Sequence, residues 1–93
     1  MIVVDTNVIV YLYLPTSHTK AAETLLLHDA EWAAPVLWRS EFRNVLAGYM
    51  RRMLVTFEEA ISIQSEAELL LAGYEYQVDS GTGEVLARNR VLA

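Results

Sequence analysis

Apolar and polar positions fall along the chain in blocks whose period changes. Met1-Ile2-Val3-Val4 is a short, mostly β-branched apolar run stopped by Asp5, the pattern of a strand buried on both faces of a parallel sheet. Thr6 and Asn7 are good N-cap types, and Val8 to Leu14 predicts a short helix that Pro15 ends. Ser17 is placed to cap a second helix over His18 to His28, in which Ala22, Leu25 and Leu26 follow i, i+3, i+4 spacing. Glu31-Trp32-Ala33-Ala34 predicts a weak second strand that Pro35 stops. Pro35 also suits the entry to a third helix, from Val36 to Met53, with Leu37, Glu41, Val45 and Gly48 on one stripe.

Thr56-Phe57-Glu58-Glu59 is a capping box that opens a fourth helix through Leu71, and Gly73 supplies its stop. Tyr74-Glu75-Tyr76-Gln77-Val78 alternates and is aromatic, predicting a third strand nearer the edge of the sheet. Ser80-Gly81-Thr82-Gly83 predicts a turn, and Glu84 to Ala93 the beginning of one more helix. The order βαα-βαα-βα predicts an α/β sandwich around a short parallel sheet.

The chain has 93 residues, which predicts a single domain over 1–93. Its 54% hydrophobic content is high for that size, so some apolar surface is expected to seek a second copy or another protein. With 12 Asp and Glu against 7 Lys and Arg, the net charge of -5 argues against a protein that merely coats nucleic acid. It leaves open an enzyme whose carboxylates hold a cation that meets the phosphate. The absence of cysteine excludes a disulfide framework, zinc fingers and thiol chemistry. The longest stretch without a formal charge, Thr6 to Thr19, is interrupted by Pro15 and is shorter than the roughly 18 apolar residues of a membrane span. Nothing basic precedes it, as a secretory signal would require. A cytoplasmic protein with no membrane partner is expected.

Two carboxylates stand out. Asp5 ends the first strand, where open α/β sheets place their sites; the alternative is that it only caps the next helix. Glu41 lies on the Leu37/Val45/Gly48 stripe, so its carboxylate is expected to point inward or toward the upper edge of the sheet, satisfied by a metal or by Lys20, Arg39 or Arg43. Asn44, at i+3, is placed to orient Glu41. Arg39 and Arg43 read as a solvated face more readily than as a phosphate guide. Trp32, Trp38, Tyr74 and Tyr76 read as core or interface more readily than as base-stacking groups. His18 and His28 do not share a helix face and form no metal pair.

Ile2-Val3-Val4-Asp5-Thr6-Asn7-Val8, followed by Ala34-Pro35-Val36-Leu37-Trp38-Arg39-Ser40-Glu41-Phe42-Arg43-Asn44-Val45-Leu46, resembles the first two signature segments of PIN-domain proteins. Within them it looks most like VapC-type toxins of toxin–antitoxin pairs. The resemblance implies a PIN-like three-layer sandwich and a Mg²⁺- or Mn²⁺-dependent endoribonuclease. Asp5 and Glu41 would then be the catalytic, metal-ligating acids, with Thr6 and Asn7 supporting the first carboxylate. It also implies an RNA substrate and an antitoxin partner. The family's further acids lie in segments later than Ala93, and neither Asp79 nor Glu84 sits in the family's motif, so a chain shortened at its C-terminus and lacking the family's last strands is expected. In the family the first strand is central; here its open edge is expected to be covered by a second copy, with paired or exchanged elements, or by an antitoxin segment.

Two readings therefore share every motif: a metal-dependent ribonuclease toxin, and a non-catalytic PIN module that dimerises or binds an antitoxin without cleaving RNA. A third, a haloacid-dehalogenase-like phosphatase, needs a second Asp where this chain has Asn7.

Overall fold

The computed structural model describes residues 1–78 and 85–87. The elements run β1 (Ile2–Val3), α1 (Thr6–Tyr13), α2 (Thr19–His28), β2 (Trp32–Pro35), α3 (Trp38–Arg51), α4 (Phe57–Leu70), β3 (Glu75–Val78) and β4 (Val85–Ala87). The sheet order is β1-β2-β3-β4. The first three strands are parallel, and β4 is antiparallel to β3. The α/β class, the parallel sheet and the four helices are those expected from the sequence.

Along β2, Trp32 and Ala34 belong to the main core while Ala33, on the opposite face, is sealed equally well. That is how a small sheet can be covered on both sides. The core face of α3 is Trp38, Phe42 and Leu46, each 2% exposed or less. Leu37, by contrast, is 63% exposed. The buried stripe thus lies one position on from the one the sequence suggested. Two aromatic rings bring more apolar area to the core than Leu37 and Val45 do, and the helix rotates to bury them.

Several local signals act as expected and others do not. Thr56 Oγ1 accepts from the Glu59 amide at 3.1 Å and Glu59 Oε1 accepts from the Thr56 amide at 2.8 Å, which is the capping box. Thr56→Ala should therefore cost about 1 kcal/mol and lower Tm by about 4–8 °C, readable in a thermal melt. Ser17 does not cap α2, whose N-cap residue, His18, makes no side-chain cap bond. Thr19 Oγ1 instead donates to the Leu14 carbonyl at 3.0 Å and accepts from the Thr16 amide at 2.9 Å. This ties the start of α2 to the end of α1.

Three expectations about strands are corrected. The segment after the third strand was expected to be helical, yet Val85–Ala87 forms β4, with Val85 opposite Val78 and Ala87 opposite Tyr76. A helix begun in ten residues is marginal without packing, whereas a hairpin closes the open edge of β3. The predicted turn at 80–83 and the remainder of that predicted helix lie outside the described residues. As a result β3 is interior, not near the edge. β1 is not buried on both faces: among the described strands it pairs with β2 alone, and Val3 is 64% exposed. Its inner edge is held by the Ile2 amide on Glu31 O at 3.0 Å and the Val4 amide on Ala33 O at 2.8 Å.

Trp32, Trp38 and Tyr76 are buried in the fold and unavailable to stack on a base, while Tyr74 is half-buried with its hydroxyl 3.3 Å from Glu31. Among the described residues no helix is long and apolar enough to cross a membrane.

Candidate active site

Asp5 follows β1 directly and is the N-cap of α1, its Oδ1 accepting from the Val8 amide at 3.1 Å. The helix needs that acceptor because its first amides have no intrahelical partner. No hydrogen bond from a described residue reaches Oδ2. Capping and an outward-facing oxygen are therefore compatible in one carboxylate. Thr6 and Asn7 begin the helix itself and are not its caps.

Glu41 lies in the first turn of α3. Its Oε1 accepts a short hydrogen bond from the Thr6 hydroxyl, which joins α3 to α1 across 35 positions of sequence. The basic partners that the sequence offered do not take it. Arg39 is bound elsewhere, and among the described residues no ion pair reaches Glu41 from Arg43 or Lys20.

Asp5, Thr6, Asn7, Glu41 and Val45 line one open cleft of about 330 Å³ at the carboxyl end of β1. Asp5 and Glu41 are both exposed. Each also stands at a helix N-terminus, where the positive end of the helix dipole favours a negative charge. That offsets part of their mutual repulsion. Asn44 is exposed, does not line the cleft and makes no hydrogen bond to Glu41. The space beside Glu41 on α3 is taken by Val45.

The donor set of this cleft is oxygen only: two carboxylates, a hydroxyl and an amide. Hard divalent cations take such ligands, and Mg²⁺ in particular is often held by one or two carboxylates with water completing its shell. Among the described residues no group of three or more His, Cys, Asp or Glu side chains converges to hold a metal. Asp79 and Glu84 lie outside the described residues.

One cluster escaped the sequence reading. Glu75 on β3 is 5% exposed, and it receives Trp38 Nε1 at 2.7 Å, Arg39 Nε at 2.6 Å and Arg39 Nη2 at 2.7 Å. Arg39 Nη1 also lies 3.3 Å from Glu68 on α4. The Glu75 carboxylate holds the guanidinium pKa above its ordinary value. Arg39, though partly exposed, is therefore committed to Glu75 and Glu68 and is not a phosphate guide. The available signal was a carboxylate inside an alternating strand, which must find a partner if its face is covered.

No curated protein and no solved structure matches the chain. The PIN domain family matches it over residues 2–88, a span that holds both signature segments and all eight elements. With a carboxylate after the first strand sharing a cleft with another in the first turn of α3, the chain belongs to the PIN domain family, whose members are generally metal-dependent nucleases.

Proposed function

We propose that this chain is a VapC-type endoribonuclease, the cytoplasmic toxin of a toxin–antitoxin pair, with Asp5 and Glu41 holding a catalytic Mg²⁺ or Mn²⁺. The observation that carries the reading is that Asp5, Thr6, Asn7 and Glu41, from two distant segments, line one cleft in a PIN domain. Such an ion, when bound, lowers the pKa of an attacking water and offsets charge on the scissile phosphate. The residues do the rest. Asp5 presents one oxygen while the other is fixed by the Val8 amide, and Glu41 is oriented by Thr6. Water adds to phosphorus, the bond to the 3′-oxygen breaks and that oxygen takes a proton, leaving a 3′-hydroxyl and a 5′-phosphate.

Labelled RNA incubated with the purified chain tests this. Cleavage in Mg²⁺ or Mn²⁺ that EDTA abolishes, with 5′-phosphate ends, is expected; cleavage that persists in EDTA contradicts it. Thr6→Val removes the hydroxyl while keeping the shape. It should weaken Mn²⁺ binding by about tenfold, measured by titrating free Mn²⁺ by electron paramagnetic resonance, with stability changed by about 1 kcal/mol or less.

A second reading, a module that binds an antitoxin without cleaving, is favoured by the lack of a third converging acid among the described residues. Folded protein that takes up no Mn²⁺ and cuts no RNA would select it. Both readings include self-association at the edge of β1 that no other described strand pairs, where Val3 is exposed. Light scattering should give twice the mass of one chain, and a monomer at micromolar concentration would contradict it.

A further inference from the structure

Arg39 and Glu75 stand outside the cleft, yet they fix the helix that carries one of its carboxylates. Helix α3 begins without a side-chain cap, its N-cap residue being Leu37. Besides the burial of Trp38 and Phe42, its first turn is held by the fork of Arg39 on Glu75 together with Trp38 Nε1 on the same carboxylate. Helix α4 adds a second attachment, through Glu68 to the guanidinium at 3.3 Å and Gln64 Nε2 to the Arg39 carbonyl at 3.4 Å.

Positions 39 and 41 are about 200° apart around a helix, so Arg39 and Glu41 leave α3 on opposite sides. On one side Arg39 is hooked to β3; on the other, Glu41 meets Thr6, the first residue of α1 after β1. With β2 between them, β1 and β3 lie about 10 Å apart, close to the width of a helix with its side chains. The first turn of α3 therefore bridges the carboxyl end of β1 and the first residue of β3, which lies level with Ala34 of β2, and two hooks hold the rotation that the buried Trp38 and Phe42 rings set. Thr6 is a single hydroxyl contact at the surface. Glu75 is a buried carboxylate gripped by a planar fork, and forks hold orientation as well as charge.

We infer that the Arg39–Glu75 pair, with Trp38, is a positioning clamp that sets where the Glu41 carboxylate stands relative to Asp5. This rests on the reading of Glu41 as a metal ligand. Arg39 and Glu75 touch neither substrate nor metal; they act through the backbone of α3.

The test uses the full chain with Arg39→Lys, which keeps the charge and loses the fork, and Glu75→Gln, which keeps an acceptor and loses the charge. Thr56→Ala serves as a control that lowers stability without touching the start of α3. Each folded variant is titrated with Mn²⁺, and amide hydrogen exchange is followed in the metal-free protein. Both clamp variants should bind Mn²⁺ about tenfold more weakly. The Glu41 amide should exchange about tenfold faster in Arg39→Lys while that of Leu46, five residues on, is unchanged. Thr56→Ala should stay within about twofold of the parent in both readouts. Equal weakening by Thr56→Ala would overturn the inference, because the effect would then be general loosening. If the parent chain takes up no Mn²⁺, the metal reading falls and the clamp is judged on exchange alone: unchanged protection of Glu41 in Arg39→Lys overturns it.

Discussion

Arg39→Met should destabilise the fold by about 3 kcal/mol, a large share of the ~5–15 kcal/mol that a domain has in all. The substitution takes the guanidinium fork away from the Glu75 carboxylate, which is 6% exposed as a side chain. The lower end of the usual range for breaking a buried pair applies because the Arg39 side chain is 40% exposed and water offsets part of the loss. Tm should fall by more than about 10 °C. Glu75→Leu removes the charge and the Trp38 acceptor together, and it leaves the guanidinium its contact with Glu68. Combining the two should cost less than the sum of the single changes by about 2 kcal/mol or more, since removing both charges ends the desolvation cost of each. Additive single and double changes in a urea titration would show that the two side chains are not energetically coupled.

Asp5→Asn and Glu41→Gln should each lower metal-dependent RNA cleavage by about a thousandfold or more, equivalent to roughly 4 kcal/mol of barrier. Each replaces an anionic oxygen with a neutral amide that divalent cations bind poorly. The fold should be spared. Asn caps a helix about as well as Asp does, so the Val8 amide keeps its acceptor and Tm should move by no more than about 2 °C. Asp5→Ala removes the acceptor as well, and should lose about 1 kcal/mol of stability in addition to the activity. Comparing the Asn and Ala variants thus separates the two roles of one side chain. A cleavage rate untouched in Asp5→Asn would leave the carboxylate as a cap alone.

Much of the fold was legible because its signals are local. The β-branched run before Asp5, the Thr56 and Glu59 capping box and the order of elements through β3 are each carried by a few adjacent residues. The carboxylates of the cleft were legible in the same way, through the segments around Asp5 and Glu41. Five features were not, for one physical reason: they are decided by partners distant in sequence. The rotation of α3 is set by which ring fits the core, so Trp38 and Phe42 displaced the Leu37 stripe. The Val85–Ala87 strand is decided by the open edge of β3. The exposure of Val3 depends on which distant segments cover that face of the sheet, and among the described residues little does. Glu75 stands in an alternating strand with no partner named until Arg39, 36 residues earlier, is placed beside it. The hydroxyl of Thr6 on Glu41 is of the same kind, since nothing in either segment alone orients one toward the other.

If Asp5 and Glu41 form one divalent-cation site, Mn²⁺ added to the isotopically labelled chain should reveal it through paramagnetic broadening of nearby amide signals. Broadening centred on Asp5, Thr6, Asn7, Glu41 and Val45, relieved by excess Mg²⁺ and lost in Asp5→Asn, is the predicted result. No broadening there, or broadening centred instead on the α4 acids Glu58, Glu59 and Glu66, would contradict it.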